Sequence, residues 1–357
     1  MRKYQLKNFV SFSFGVLLVI ALGVSGSLYL FYHPQASLPT ERQTEPAPEP
    51  PPVVDPSLHP LTGLPLPENA STTRPFAVMI DNAPEARPQY GLSKADIVYH
   101  VLVEGGVTRF MAVFSSQAAE RIGPVRSARP YFIRHAQDWD AIYVHSGGSA
   151  TALKVLQQNP TRISGLNEFA NGPFFWRSSA PAPHDLFTTS ALLKNAAEKR
   201  ALSLVLSTLP SWGFSTGSDP DASSAMSASI PFSLPRMSVT YHYNSITNSY
   251  DRTQGTSAQY DNLDGKRISP ANVLLVFKRS AAIADPQKLG LIDFTDNGAG
   301  ELVLCTNGKK IDGRWSRSAD GPTVYSDANG RTLLLSPGQT FIEILPTEFK
   351  ESIIMQE

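Results

Sequence analysis

The sequence predicts a mixed α/β N-terminal domain followed by a β-rich C-terminal module, both held outside a membrane. Three observations indicate this architecture. Short apolar runs alternate with helix-like segments between residues 74 and 206. Runs typical of β-strands, punctuated by Asp-Gly and Asn-Gly steps, follow from residue 238 to residue 345. A long apolar segment without charges lies close to the N-terminus.

The predicted α/β domain covers residues 61–209. Its strands are the apolar runs Arg74–Ile80, Ile97–Val103, Phe110–Phe114 and Ala141–His145. Because only a few residues around Gly105 separate the second run from the third, we expect a hairpin there. Helical spacing predicts helices over Ala128–Asp138, Thr151–Gln158 and Ser190–Leu206, the last with Ser190 as its N-cap.

A change of composition separates this domain from the C-terminal module. Residues 210–229 are rich in Ser, Gly, Pro and Asp, which predicts an exposed, flexible loop. The β-rich module covers residues 230–350 and is expected to be mostly antiparallel. Its predicted strands are Ser238–Tyr243, Asn272–Phe277, Leu302–Cys305, Thr332–Leu335 and Thr340–Leu345. Cys305 lies within such a run, which favours a buried strand residue over a reactive thiol.

The first sixty residues predict an anchor and a spacer. Residues 1–8 form a cytoplasmic tail with Arg2, Lys3 and Lys7, residues 9–32 a transmembrane signal anchor, and residues 33–60 a Pro-rich stalk. The alternative is a cleaved signal peptide, because Val24–Ser27 are small residues, but the apolar run continues to Tyr32. No cysteine lies near this segment, so lipid attachment there is excluded. The chain's expected partner on this side is the cytoplasmic membrane.

Composition excludes several function classes. Lys plus Arg equals Asp plus Glu at 31 each, so the sequence does not indicate a nucleic-acid partner. A single cysteine cannot form an intramolecular disulfide or a cysteine-based zinc site. HExxH, calcium-loop, P-loop, dinucleotide and GxSxG motifs are missing, so we expect neither a metal nor a cofactor.

Several long, ordered motifs carry a family resemblance. They are Arg74–Asn82, Arg87–Gln89, Leu92–Val98, Glu104–Arg109 and Gly123–Arg129, continuing through Tyr143–Gly148 and Pro183–Leu186 to Gly308, Gly313–Trp315 and Gly330. On these motifs the chain resembles the YerB-like family of bacterial envelope proteins over roughly residues 59–347. The resemblance implies an extracytoplasmic α/β domain with a β-rich C-terminal module, typically in Gram-positive bacteria, and no established activity. Family members usually look like lipoproteins, and the predicted transmembrane anchor departs from that pattern.

Polar residues concentrate at the predicted strand ends and in the adjoining loops, where binding sites are usually built. Besides Asp96, the candidate ligand-binding residues are Asp81, Arg87, Glu104, Arg109, Arg126, Arg129, His145, His184 and Asp185. The turn Gly123–Arg129 presents two arginines at a predicted helix N-terminus, which suits a phosphate or carboxylate. The alternative is that Arg126 and Arg129 pair with Asp81, Asp96 or Glu104 and only fix loops.

His145 precedes a glycine-rich loop and could act as a general base, although a histidine bonded to a nearby carbonyl is the more frequent arrangement. His184 and Asp185 are adjacent and cannot readily pair with each other. Catalysis would therefore need the fold to bring one of them against His145 or Glu104. Trp315 and Tyr325 could form an exposed glycan-binding surface, but filling a β core is the favoured interpretation.

Three hypotheses for function remain open. The first is a binding or accessory protein that recognises an anionic envelope polymer or an envelope protein. The second is an envelope glycan or phosphodiester hydrolase or transferase, which would use Glu104 or Asp81 with His145. The third is a scaffold without a ligand, in which the same charged residues form closed ion pairs.

Overall fold

The computed structural model describes residues 55–66, 72–159, 163–206, 212–217, 222–232, 234–283, 290–319 and 321–357. The predicted tail and transmembrane segment, residues 1–32, lie outside these ranges. Among the described residues, no helix is both long enough and apolar enough to span a bilayer.

Strands dominate the described structure, with a few short helices. The α-helices are α1 (Pro130–Gln137), α2 (Ala150–Gln158), α3 (Glu168–Asn171) and α4 (Ser190–Lys199). The 3₁₀ turns are Pro84–Ala86, Leu92–Lys94, Glu104–Gly106, Gly172–Phe174, Pro235–Met237 and Thr347–Ser352. The strands are β1 (Phe76–Asp81), β2 (Ile97–Leu102), β3 (Thr108–Phe114), β4 (Ile142–His145), β5 (Gly165–Asn167), β6 (Trp176–Arg177), β7 (Leu186–Phe187), β8 (Gly213–Phe214), β9 (Ser223–Ser224), β10 (Ser227–Ile230), β11 (Val239–Asn244), β12 (Ser249–Gln254), β13 (Ser257–Ala258), β14 (Asn272–Lys278), β15 (Ser280–Ala282), β16 (Ile292–Phe294), β17 (Gly298–Thr306), β18 (Lys309–Arg317), β19 (Val324–Asp327), β20 (Leu334–Leu335), β21 (Thr340–Pro346) and β22 (Ile354–Gln356).

One large sheet runs through both halves of the chain, in the order β19-β18-β17-β14-β21-β2-β3-β1-β4-β5, with β9 added beside β18. The expected hairpin is present, because β2 and β3 pair antiparallel. The predicted class, an α/β N-terminal part with a β-rich C-terminal part, is confirmed. The C-terminal part is mostly antiparallel, as expected. Strand β21 is an exception, because it lies between β14 and β2 and is parallel to both.

Both faces of this sheet are buried, which explains why its central strands are almost continuously apolar. On β1, Val78 and Ile80 belong to one hydrophobic cluster, whereas Ala77 and Met79 belong to a second one. Helix α4 and the smaller sheet β13-β12-β11-β10-β22 contribute to the first cluster. Helices α1 and α2 contribute to the second cluster. The sheet therefore holds the ends of β1, β2 and β4 in fixed positions.

The prediction of a flexible loop over residues 210–229 is wrong for the residues of this segment that the structure describes. The Trp212 ring is 2% exposed and packs against Trp139 and Tyr325, with centroids 5.1 and 5.6 Å away. Strand β10 is an internal strand of the smaller sheet, paired with β11 and β22. One buried tryptophan and cross-strand pairing thus hold a segment whose composition resembles that of a loop.

Three boundaries also differ from the prediction. The stalk was expected to reach residue 60, but His59 is buried, and its Nε2 lies 3.3 Å from the Ser115 hydroxyl. Helix α4 ends at Lys199 rather than at residue 206, and its N-cap is Thr189, whose hydroxyl accepts from the Leu192 amide. Strand β20 begins at Leu334 rather than at residue 332.

The C-terminal aromatic residues fill the core, as the favoured interpretation predicted. Trp315 and Tyr325 are 3% and 2% exposed, and the Trp315 indole donates to the Phe277 carbonyl at 2.8 Å. Cys305 is also buried, in strand β17. An exposed aromatic surface at Trp315 and Tyr325 is therefore excluded.

Cys305 should be inert in the folded protein. Burial raises the pKa of its thiol to about 12, so at about pH 8 only a very small fraction is the reactive thiolate. We expect Ellman's reagent to label almost no thiol in the native protein and one thiol per chain after denaturation in guanidinium chloride. Rapid labelling of the native protein would contradict the burial of this strand.

Candidate functional site

The candidate site lies at one edge of the large sheet. Strands β1, β2 and β4 run in the same direction, so their carboxyl ends meet at this edge, a common position for ligand sites in α/β sheets. Asp81 ends β1, Glu104 follows β2 and His145 ends β4. Strand β3 starts at the same edge and places Arg109 directly opposite Asp81.

Glu104 and two arginines form the inner part of the site. Arg129 forms a two-pronged contact with Glu104, through Nε to Oε2 at 2.9 Å and through Nη2 to Oε1. Arg109 Nη2 lies 3.7 Å from the same Oε1, and its Nη1 donates to the Ser127 carbonyl at 2.9 Å. Both arginine side chains are more than nine-tenths buried. Arg129 is therefore an internal strut, as the alternative interpretation of the arginine pair predicted.

Asp81 anchors the outer part of the site. Its Oδ2 lies 2.8 Å from His184 Nδ1 and 2.8 Å from Arg126 Nε. The Arg126 contact is an ion pair by distance but lacks hydrogen-bond geometry. The other carboxylate oxygen of Asp81, Oδ1, accepts a hydrogen bond from the Ala83 amide at 3.0 Å. Asp81 thus carries one arginine and one histidine on a single carboxylate oxygen.

The backbone explains why these side chains meet. The segment before Arg126 lies between β1 and β7: the Asp81 amide donates to the Pro124 carbonyl, and the Val125 amide donates to the Leu186 carbonyl. A Cβ at Gly123 would lie 2.8 Å from the Leu186 carbonyl oxygen, and its φ of +144° is rare for L residues. The glycine is needed for this close approach, which brings Arg126 and His184 to the same oxygen of Asp81.

Arg126 is the most open arginine of the group. Its side chain is 26% exposed, and within the described parts of the chain its two terminal nitrogens have no hydrogen-bonding partner. His184 is also partly accessible, with a side chain 16% exposed. These two groups can therefore contact a ligand without a change in the core.

Charge is unevenly distributed within the group formed by Arg109, Arg126, Arg129, Asp81 and Glu104, because three guanidinium groups face two carboxylates. Burial alone would raise the pKa of Asp81, but Arg126, the Ala83 amide, Arg109 and His184 hold it below its usual value. Burial would likewise raise the pKa of Glu104, but Arg129 and Arg109 outweigh this effect and lower it. Burial lowers the pKa of Arg109 to about 10, so it stays protonated at neutral pH. Both carboxylates are ionised, and one positive charge is left over.

His145 lies outside this constellation. Its Nδ1 contacts the Gly147 carbonyl at 2.7 Å and its ring stacks on Tyr143, as the structural interpretation predicted. Burial lowers the pKa of His145, against the opposing effect of that carbonyl. The ring lines a separate cavity of about 240 Å³ beside Leu153 and Arg200. The pairing of His145 with Asp81 or Glu104, on which the hydrolase hypothesis depended, is not formed.

The remaining candidates lie beside the site or away from it. Asp185 binds Arg177 at 2.8 Å, and Arg177 also contacts Glu168 at 3.2 Å. Sequence reasoning missed Arg177 and Glu168, because neither lies in a motif or at a predicted strand end. Arg87 donates to the Asn82 carbonyl at 2.9 Å and to the Arg236 carbonyl at 3.2 Å, which links this edge to the C-terminal part.

Asp96 serves a different purpose. It accepts from the amides of Ser115 and Ser116 at 2.7 and 3.0 Å and so fixes the chain after β3. Burial raises its pKa to about 6. It is not a partner of Arg126 or Arg129. In the described parts of the chain, no group of three or more His, Cys, Asp or Glu residues is arranged to hold a metal ion.

Comparison with known proteins places the chain in a family. The Bacillus subtilis protein named "Putative lipoprotein YerB" is 34% identical over 295 residues, which cover 80% of this chain and 86% of that protein. The crystal structure of YerB from Bacillus subtilis is similar with a TM-score of 0.75 and 30% identity, covering 84% of this chain and 99% of that one. Residues 61–203 and 228–342 match the N-terminal and C-terminal domains of the family described as "Protein of unknown function (DUF3048)". The chain therefore belongs to this YerB-like family.

Proposed function

We propose that the protein is a membrane-anchored envelope protein whose sheet edge around Arg126 binds an anionic envelope ligand. The observation that carries the proposal is the state of Arg126. Its charge is partly balanced by Asp81, yet its terminal nitrogens are exposed and unpaired within the described residues. Such a fork suits two oxygens of a phosphate or carboxylate.

The surrounding charges favour an anion over a neutral ligand. Arg109 and Arg129 lie behind Arg126 in the low-dielectric interior, where charges are weakly screened. Their carboxylate partners leave one positive charge in excess. The Gly147 backbone runs alongside, with the Ser146 amide bonded to the Arg126 carbonyl at 3.0 Å. A ligand at Arg126 would therefore be held by a preformed and rigid surface.

The proposed location rests on the N-terminal segment and on the family. Residues 9–32 are apolar and follow a basic tail, so we place them across the cytoplasmic membrane with the folded part outside. The Bacillus subtilis relative is named "Putative lipoprotein YerB", and a lipoprotein is also a membrane-attached protein. The ligand would then be a component of the envelope, either a polymer or a protein with an anionic group.

Arg126→Lys should weaken this binding about tenfold, because a lysine cannot donate two parallel hydrogen bonds. The unfolding temperature should stay within about 2 °C, since Arg126 is partly exposed. Calorimetric titration with poly(glycerol phosphate) and with a soluble muropeptide would measure the affinity. Arg331→Lys is the matched control: it changes an exposed arginine paired with Asp327, near the opposite edge of the sheet.

Two results would count against the proposal. One is a parent protein that binds neither probe. The other is an equal loss of affinity in the Arg126 and Arg331 variants, which would indicate a general charge effect instead of a site.

A further inference from the structure

The contact between Asp81 and His184 determines where the imidazole carries its proton. Asp81 is ionised, since its neighbours lower its pKa against the effect of burial, so its Oδ2 can only accept a hydrogen bond. His184 Nδ1, at 2.8 Å, is therefore the donor. The neutral ring then has its lone pair on Nε2, which is the tautomer that a general base requires.

The Nε2 atom of His184 is available to a ligand. Across the residues that the structure describes, no protein group forms a hydrogen bond or an ion pair with it, and the side chain is partly exposed. A carboxylate behind Nδ1 also stabilises the imidazolium that forms when Nε2 takes a proton. The arrangement is a positioned imidazole with its reactive nitrogen open, unlike His145, whose ring is almost fully buried.

The base and the proposed anion site are neighbours. His184 Nδ1 and Arg126 Nε lie 2.8 Å from the same oxygen of Asp81. The two nitrogens are thus within two hydrogen-bond lengths of each other. An anion that is held by the free end of Arg126 would lie beside the imidazole ring.

We propose that His184, positioned by Asp81, is the general base of a phosphodiester hydrolysis at Arg126; this inference rests on the proposed anion site. His184 Nε2 removes a proton from a water molecule while the water oxygen forms a bond to phosphorus. The bond from phosphorus to the leaving alcohol oxygen breaks on the opposite side of phosphorus. That oxygen takes a proton from solvent water, and the imidazolium returns its proton to solvent. Arg126 binds the non-bridging oxygens, whose negative charge grows in the transition state.

The alternative chemistry, glycoside hydrolysis, is not supported by these residues. It usually needs two carboxyl groups, one of them protonated to act as the acid. Asp81 and Glu104 are both paired with arginines, and the pKa of each is lowered despite burial. Neither can supply a proton near neutral pH, whereas the surplus positive charge suits a substrate that is itself an anion.

The test uses the full chain in detergent, with bis(4-nitrophenyl) phosphate as the hydrolysis probe and inorganic phosphate as the binding probe. In this assay, His184→Gln should lower kcat by about a hundredfold or more, because glutamine can still donate to Asp81 but cannot accept the proton. Phosphate affinity should change by less than about twofold, since Arg126 is untouched. His242→Gln, at an exposed histidine on β11, is the matched control and should leave turnover unchanged.

The pH profile gives a second readout. Parent turnover should fall at low pH as the base becomes protonated, and the His184→Gln residual rate should lack that limb. Phosphate binding without turnover, or turnover that His184→Gln leaves intact, would overturn the catalytic proposal and leave the binding site standing. A parent protein that neither binds phosphate nor hydrolyses the probe would contradict the proposed function as well.

Discussion

Replacing Glu343 with glutamine is expected to lower the free energy of unfolding by about 3–5 kcal/mol, the usual cost of leaving a buried charge without its partner. Glu343 is fully buried in the middle of β21. It lies directly opposite His100 of the neighbouring parallel strand β2, with His100 Nδ1 2.7 Å from its Oε2. The change keeps the size of the side chain, removes its charge and replaces one acceptor oxygen with an NH2 donor.

The lost charge matters because of Arg252. This arginine is also fully buried and donates through Nε to the Tyr241 hydroxyl at 3.0 Å, while that hydroxyl donates to Glu343 Oε1 at 2.6 Å. Burial would raise the pKa of Glu343, but its contacts with His100, Arg252 and Tyr241 lower it. Burial lowers the pKa of His100. One carboxylate and one guanidinium therefore balance each other, and glutamine leaves the guanidinium unbalanced.

Chemical denaturation of the parent and the variant would measure the effect. Glu301→Gln is the matched control, because Glu301 forms an exposed ion pair with Lys350 at 2.6 Å and should cost no more than about 1 kcal/mol. The double variant Glu343→Gln with Arg252→Met should recover part of the loss, since it removes the unbalanced cation. A Glu343→Gln protein as stable as the control would show that this network contributes little.

Local sequence pattern predicted the strands well, because each buried strand is a compact apolar run such as Ile97–Val103. It did not predict which strands pair, since β21 joins β2 from more than two hundred positions along the chain. Composition also gave a wrong prediction for the segment around Trp212, because the burial of one aromatic side chain holds this segment in place despite its polar neighbours. A signal for the buried network was present: His100 and Glu343 each interrupt an otherwise apolar strand.

The position of the candidate residues at one sheet edge was predictable from the sequence, but the contacts between their side chains were not. Strand ends and glycine-rich turns correctly indicated Asp81, Glu104 and Arg126 as neighbours at one sheet edge. The Asp81 contact with His184 joins positions 103 residues apart, and no periodicity encodes such a contact. For the same reason the hydrolase hypothesis named His145 and not His184 as its base, since His145 ends a strand beside a glycine-rich loop.

The other large effect is expected at Asp296, on the opposite side of the large sheet from the Glu343 network. Asp296→Asn should also cost about 3–5 kcal/mol at neutral pH. Asp296 Oδ1 contacts the ammonium of Lys278 at 2.5 Å, and both side chains are almost completely buried. Arg134 and His135 also contact this carboxylate, with His135 Nε2 at 3.7 Å. Asparagine would leave Lys278 as an unpaired ammonium near the Trp315 ring.

The loss of stability in Asp296→Asn should depend on pH, because the unpaired group that it leaves is a lysine. The Glu343 variant instead leaves an arginine, which stays protonated. Burial lowers the pKa of Lys278, and Asp296 opposes that shift. Without Asp296 the folded-state pKa falls further below the unfolded value of about 10.4. A lysine whose pKa is lowered by folding destabilises the fold while it is charged, and the penalty shrinks as pH rises between the two pKa values. Between about pH 7 and pH 10, the stability difference from the parent should therefore narrow.

Denaturation series at several pH values would follow that difference. Asp312→Asn is the matched control, because Asp312 is an exposed partner of Lys310 at 3.2 Å and should show little change at any pH. Adding Lys278→Met to Asp296→Asn should abolish the pH dependence, since no buried amine remains to titrate. A deficit that stays constant to high pH in the single variant would mean that the cost arises from lost contacts of Arg134 and His135, and not from the Lys278 charge.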